Sequence, residues 1–156
     1  MIRRNLILIF VLHFKHMFGQ SLYSEKINEV IAKARFPESP ENLYDPIRYI
    51  LSLAGKRIRP LLVLLGADLF TESTVEGTYQ ASLAIEYFHN FSLLHDDIMD
   101  KAPLRRGKAT VHEKWNDNVA ILSGDALLVQ AYQELSKCPA DKLSALLPVF
   151  NKMALE

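Results

Sequence analysis

Apolar residues recur along this chain at intervals of three and four, the spacing that lines one face of an α-helix, and no run alternates long enough to suggest a strand. From Ser24 the pattern predicts helices separated by short loops. Ile27, Val30 and Ile31 mark the first, opened by Ser24, Glu25 and Asn28 and reaching about Arg35. A loop carrying Pro37 and Pro40 follows, and Asp45 with Pro46 makes a good start for a second helix. Its apolar stripe is Ile47, Ile50, Leu51 and Ala54, and its stop is Gly55. Pro60 opens the apolar segment LLVLLGADLF, residues 71–77 read as a polar loop, and a long helix begins near Thr78.

Beyond a basic loop, Val111 to Trp115 leads into a helix from about Asn118 to Leu135. Ile121, Leu122, Ala126, Leu127, Leu128 and Val129 make it apolar nearly all round, so it should be central and buried. Gly124 within it costs about 1 kcal/mol against alanine, which points to close helix packing. Asp125 is expected there as a buried, hydrogen-bonded acid. Pro139 and Asp141 start a last helix, and the fold class is all-α.

Composition narrows the picture. The 156 residues are 49% hydrophobic and 23% charged with no net charge, which fits one soluble globular unit and argues against nucleic acid as a partner. Cys138 is the only cysteine, so no internal disulfide forms, and a reducing cytoplasm is the plain expectation. Residues 1–20 carry Arg3 and Arg4 before a short apolar run, too short for the roughly 20 residues that span a membrane. No small-residue cleavage site is evident and Met17 offers an alternative start, so this segment is a leader or an upstream mistranslation, and residues 21–156 are the domain.

The candidate chemistry lies between Ala84 and Thr110. The long helix ends in Asp96, Asp97 and Asp100, and a loop with Arg105, Arg106 and Lys108 follows at once. At 100° and 1.5 Å per residue, Asp96 and Asp100 share a face about 40° wide, and His89 stands on nearly the same face about 10 Å back. Acids in a last turn oppose the helix dipole at about 0.3–1 kcal/mol each, so a positive charge must offset them. Two sources fit: Arg105 and Arg106 as a salt-bridged cap, or a hard divalent cation such as Mg²⁺, which shares carboxylates with substrate phosphates. A second basic cluster, Lys56, Arg57 and Arg59, flanks the helix start at Pro60, where free N–H groups favour an anion.

Four motifs in order, GKRIRP at Gly55–Pro60, DDxxD at Asp96–Asp100, LRRG at Leu104–Gly107 and SGDALL at Ser123–Leu128, resemble those of the trans-isoprenyl diphosphate synthases, or polyprenyl synthetases. The resemblance implies an isoprenoid synthase-type helical bundle, here only its N-terminal half, because such proteins are longer and carry a second aspartate-rich motif on a later helix. It implies a short-chain, farnesyl- or geranylgeranyl-type prenyltransferase that joins isopentenyl diphosphate to an allylic diphosphate. Asp96 and Asp100 match the Mg²⁺ ligands, with Asp97 in support. Arg105 matches the position that holds the allylic diphosphate, and Lys56, Arg59, His89 and Arg106 match those that hold isopentenyl diphosphate. Members are usually homodimers. Product length in the family follows bulk just before the first aspartate, which points to Phe91, whereas an ideal helical wheel brings Ser92 and Phe88 nearer that face. A terpene cyclase-like enzyme and a non-catalytic helical subunit or fragment are the rival readings. The cyclase would leave GKRIRP without a role, and an isolated half is expected to be inactive.

Overall fold

A computed structural model of the chain describes residues 22–53, 55–70 and 76–155. The leader expected over residues 1–20, Ala54 and residues 71–75 lie outside these. The described residues form helices α1 (Leu22–Lys33), α2 (Glu41–Ser52), α3 (Ile58–Asp68) and α4 (Thr78–Met99), a two-residue hairpin β1 (Leu104–Arg105) and β2 (Lys108–Ala109), then α5 (Val111–Lys114), α6 (Asp117–Ser136) and α7 (Ala140–Leu155). The all-α expectation holds, with the hairpin as the addition.

The axis of the bundle is α4, whose 22 residues extend about 33 Å. It packs most extensively on α6 and next on α3, while α2 lies against α6. Ala84, Tyr87 and Leu94 of α4 meet Ile47, Ile50 and Leu51 of α2 and Ala120, Leu127 and Ala131 of α6 in one core. Each large side chain buried there contributes about 1.5–3 kcal/mol. Hydroxyls join the layers: Ser123 Oγ donates to Leu43 O at 3.0 Å, and Ser82 Oγ donates to Pro60 O at 3.2 Å.

Three expectations need correction. The second helix begins at Glu41, not at Pro46. Pro46 lacks only the bond to Asn42, whose carbonyl stands in an exposed first turn where water can serve it. Asp45 does not cap but pairs with Arg48 at 3.0 Å, and Arg48 Nη1 in turn donates to Pro37 O at 3.0 Å, tying the preceding loop down. The helix expected to be wholly buried shows an open face, with Leu122 60% and Val129 55% exposed, because α2, α4 and α5 cover only its other sides. Asp125 sits on that open face with a 60% exposed side chain, 3.5 Å from His95 Nε2, and is not a buried acid.

The close approach expected at Gly124 is present. A Cβ there would lie 2.5 Å from His95 Cε1 on α4, so the α4–α6 spacing depends on its absence. Alanine gains about 1 kcal/mol of helix propensity at this position, but overpacking costs typically about 1–3 kcal/mol. Gly124→Ala is therefore expected to lower the thermal midpoint of the chain, read by circular dichroism, and a raised midpoint would contradict this packing.

Candidate functional site

The acidic tip of α4 is shaped by how the helix stops. Lys101 adopts φ 50° and the chain closes with Lys101 N–H to Ile98 O at 3.1 Å and Ala102 N–H to Asp97 O at 2.9 Å. These two bonds make a Schellman stop, here with lysine where glycine usually stands. The chain then turns into the hairpin, whose corner residues Arg106 and Gly107 have φ 54° and 76°. Positive φ at both positions is the two-residue turn that matches strand twist. Thr110 Oγ1 donates to Ala102 O at 2.7 Å and Tyr49 O–H to Ala109 O at 2.8 Å, which fix the hairpin to the bundle.

The hairpin delivers Arg105 to the acids. Its Nε and Nη2 donate to the two oxygens of Asp97, both at 2.7 Å, and Asp97 is buried at 2% exposure. This bidentate bond, with the neighbouring charges of Asp97, Asp96 and Asp100, raises the Arg105 pKa. The salt-bridged cap and the metal reading thus divide the acids between them: Asp97 is matched by Arg105, while Asp96 and Asp100 stay exposed and form no side-chain hydrogen bond or ion pair among the described residues.

The basic cluster assembles around Arg57, which sequence reasoning left without a role. Arg57 has φ 47° and points inward, where Nη1 donates to Glu86 Oε1 and Nη2 to Leu51 O and Leu53 O, the free carbonyls ending α2. Leu53 O also accepts from Arg106 Nη1 at 3.0 Å. Arg59 Nη1 lies 3.2 Å from His89 Nε2, so this donor requires a neutral imidazole as acceptor. Lys56 is exposed beside them and joins none of these contacts. Burial lowers the His89 pKa first, Arg59 next, and Arg106 and Arg105 further, against an opposing pull from Glu86. Burial likewise lowers the Arg106 pKa, with Arg57 and Arg105 adding to it.

Arg105 grips the acidic tip through both oxygens of Asp97. Arg59 and His89 meet at 3.2 Å, and Arg106 is bonded instead to Leu53 O. Phe91 and Phe88 stand in an aromatic row, Phe91 against His95 with centroids 4.7 Å apart, Phe88 against Phe91 and against Phe150 of α7 at 5.6 Å. Ser92 Oγ donates back to His89 O at 2.8 Å.

No group of three or more His, Cys, Asp or Glu converges on one point among the described residues. Asp96 and Asp100, one turn apart and offering only oxygen, still fit Mg²⁺, which usually keeps several waters and takes one or two protein carboxylates.

Fold and site together define an all-helical protein with an acidic helix tip suited to a hard metal and an adjoining arginine–histidine cluster suited to a polyanion. A family model described as polyprenyl synthetase matches residues 40–156. The geranylgeranyl diphosphate synthase of Methanosarcina mazei is 40% identical over 119 residues, covering 75% of this chain and 36% of that protein. The geranylgeranyl diphosphate synthase of Sulfolobus acidocaldarius is 35% identical over 144 residues, covering 90% and 42%. The solved geranylgeranyl pyrophosphate synthetase from Geoglobus acetivorans superimposes with a TM-score of 0.74 at 37% identity, over 86% of this chain and 43% of its own. The chain belongs to the polyprenyl synthetase family and has the isoprenoid-synthase helical fold. It spans about two fifths of the length of the curated relatives it matches.

Two outcomes follow from the site. Arg105→Ala leaves Asp97 buried without a cation and is expected to cost about 3–5 kcal/mol in denaturant unfolding, much of it recovered when Asp97→Asn is added; an additive double mutant would refute the pairing. His89 has its charged form disfavoured in the fold, so near pH 6 the unfolded chain binds more protons at this position. Its contribution is full above the ordinary value of about 6.5 and is lost as pH falls through the depressed folded value. His89→Gln should therefore flatten the acid side of the stability profile, seen as a smaller fall in thermal midpoint between about pH 7 and pH 5 than the parent chain shows.

Proposed function

We propose that this chain forms part of a prenyltransferase that condenses isopentenyl diphosphate with an allylic diphosphate to give a short-chain all-trans prenyl diphosphate. The observation that supports it most is the contact of Arg59 with His89 on the same helix whose acidic tip Arg105 grips through Asp97. The family and the names of the relatives agree with this reading.

Arg59, Lys56, Arg106 and His89 bind the isopentenyl diphosphate anion and aim its double bond. Arg105, held by Asp97, offers the remaining edge of its guanidinium to the allylic diphosphate. Asp96 and Asp100 hold Mg²⁺, and a bound Mg²⁺ supplies Lewis-acid and electrostatic stabilisation of the departing diphosphate. Holding the two reactants together is worth about 7–11 kcal/mol of the barrier. Phe91, with Ser92 and Phe88, limits product length. The open face of α6 around Leu122 and Val129 is the surface on which a homodimer forms. Among the described residues no helix is long and apolar enough to cross a membrane, and the cytoplasm is the compartment proposed for the enzyme. Residues 21–156 are read as the N-terminal part of the synthetase domain and residues 1–20 as a leader or mistranslated segment. An enzyme that ionises one diphosphate without condensing two would leave Arg59, His89 and Arg106 without an anion.

Calorimetric titration tests the reading. Isopentenyl diphosphate should bind the chain and bind at least about tenfold more weakly to Arg59→Ala, the loss of one charge-assisted contact. An allylic diphosphate should need Mg²⁺, and Asp96→Ala with Asp100→Ala should abolish the Mg²⁺-dependent part of its binding. Equal binding of isopentenyl diphosphate by parent and Arg59→Ala would overturn the assignment. Residues 1–156 alone should give no condensation of labelled isopentenyl diphosphate, and turnover by them would overturn that expectation.

A further inference from the structure

Glu86 is the least expected group near this site. Its side chain is 2% exposed, and the carboxylate lies in the middle of a cationic cluster. Oε1 accepts from Arg57 Nη1 and from Asn90 Nδ2 at 2.9 Å, and Asn90 itself is fully buried. Glu86 is one turn before His89, and its charge reaches both His89 and Arg106. A lone carboxylate beside an anion site would repel the anion, so its presence needs another reason.

The backbone supplies one. Arg57 is held at φ 47°, ψ 36°, a left-handed conformation that costs a residue with a side chain. It persists only where the surroundings determine it, and here the surroundings are Glu86 on one guanidinium nitrogen and the carbonyls of Leu51 and Leu53 on the other. The turn sends Arg57 inward while Lys56 and Arg59 on either side stay exposed. Leu53 O then passes the constraint to Arg106, which it also accepts from, and Arg106 rests directly over Gly55.

We propose that Glu86 is a positioning residue: by anchoring Arg57 it fixes the turn that presents Lys56 and Arg59 and the carbonyl that places Arg106, and so preorganises the diphosphate site it does not touch. The inference rests on the diphosphate reading given above. Its electrostatic and positional effects have opposite signs. Removing a negative charge from a cationic cluster strengthens anion binding, whereas loss of the anchor weakens it.

Inorganic pyrophosphate, titrated into the chain with chelator present so that the acidic tip is silent, is the probe. E86Q is expected to bind it about tenfold more weakly, in line with the loss of one charge-assisted contact. The slowly exchanging Arg106 guanidinium signal should also disappear from the nitrogen NMR spectrum, although Arg106 does not touch Glu86. R57K keeps the charge but loses the fork and should weaken binding similarly, and it carries the test if E86Q does not fold. Equal or tighter binding by E86Q, or unchanged affinity in R57K, overturns the proposal alone. Failure of the parent chain to bind pyrophosphate overturns the diphosphate reading and this inference with it.

Discussion

A carboxylate taken out of water must find a cation, and α4 carries two such groups on its length, Glu86 and Asp97, each 2% exposed. Each is met by an arginine from a different loop, Arg57 from the segment before α3 and Arg105 from the hairpin. The ion pairs are not spare stability, since an apolar pair would fill the same space as well. Their effect is to define where two otherwise irregular loops lie against one rigid helix. Eleven residues separate the two acids, about 16 Å of axis, and the exposed groups of the site are distributed along that interval.

Among the described residues, every non-glycine residue with positive φ is basic and borders this region: Arg57, Lys101 and Arg106. Such conformations cost about 1–3 kcal/mol in the general case and persist where the surrounding structure determines them. Arg57 and Arg106 share Leu53 O, and Lys101 closes the helix whose last turn holds the aspartates. Backbone strain thus coincides with the basic side chains of the candidate site.

Much of this was legible in the residues. The period of the apolar positions gives the helices from Ser24 onward, and the ordered motifs give the acidic tip and the cation cluster. Gly124 inside an apolar helix announces a tight crossing, which His95 fills. The remainder was hidden for identifiable reasons. The hairpin has two residues per strand, too few for alternation to register, and its only signal is the Arg106–Gly107 pair. The stop at Lys101 lacks the usual glycine. Arg57 looks like its neighbours Lys56 and Arg59 in sequence, and only the inward turn separates the buried side chain from the exposed ones. The apolar surround of Asp125 in sequence does not imply burial, because α6 leaves one side uncovered.

The guanidinium of Arg106 lies where any side chain at position 55 would begin. Two positions 51 residues apart in the chain therefore occupy a single volume. A side chain at 55 has to displace that guanidinium, which sits at the far end of a flexible chain and can swing aside only by giving up its bond to Leu53 O. A substituent on one loop would thus be felt on the other through the loss of a single hydrogen bond.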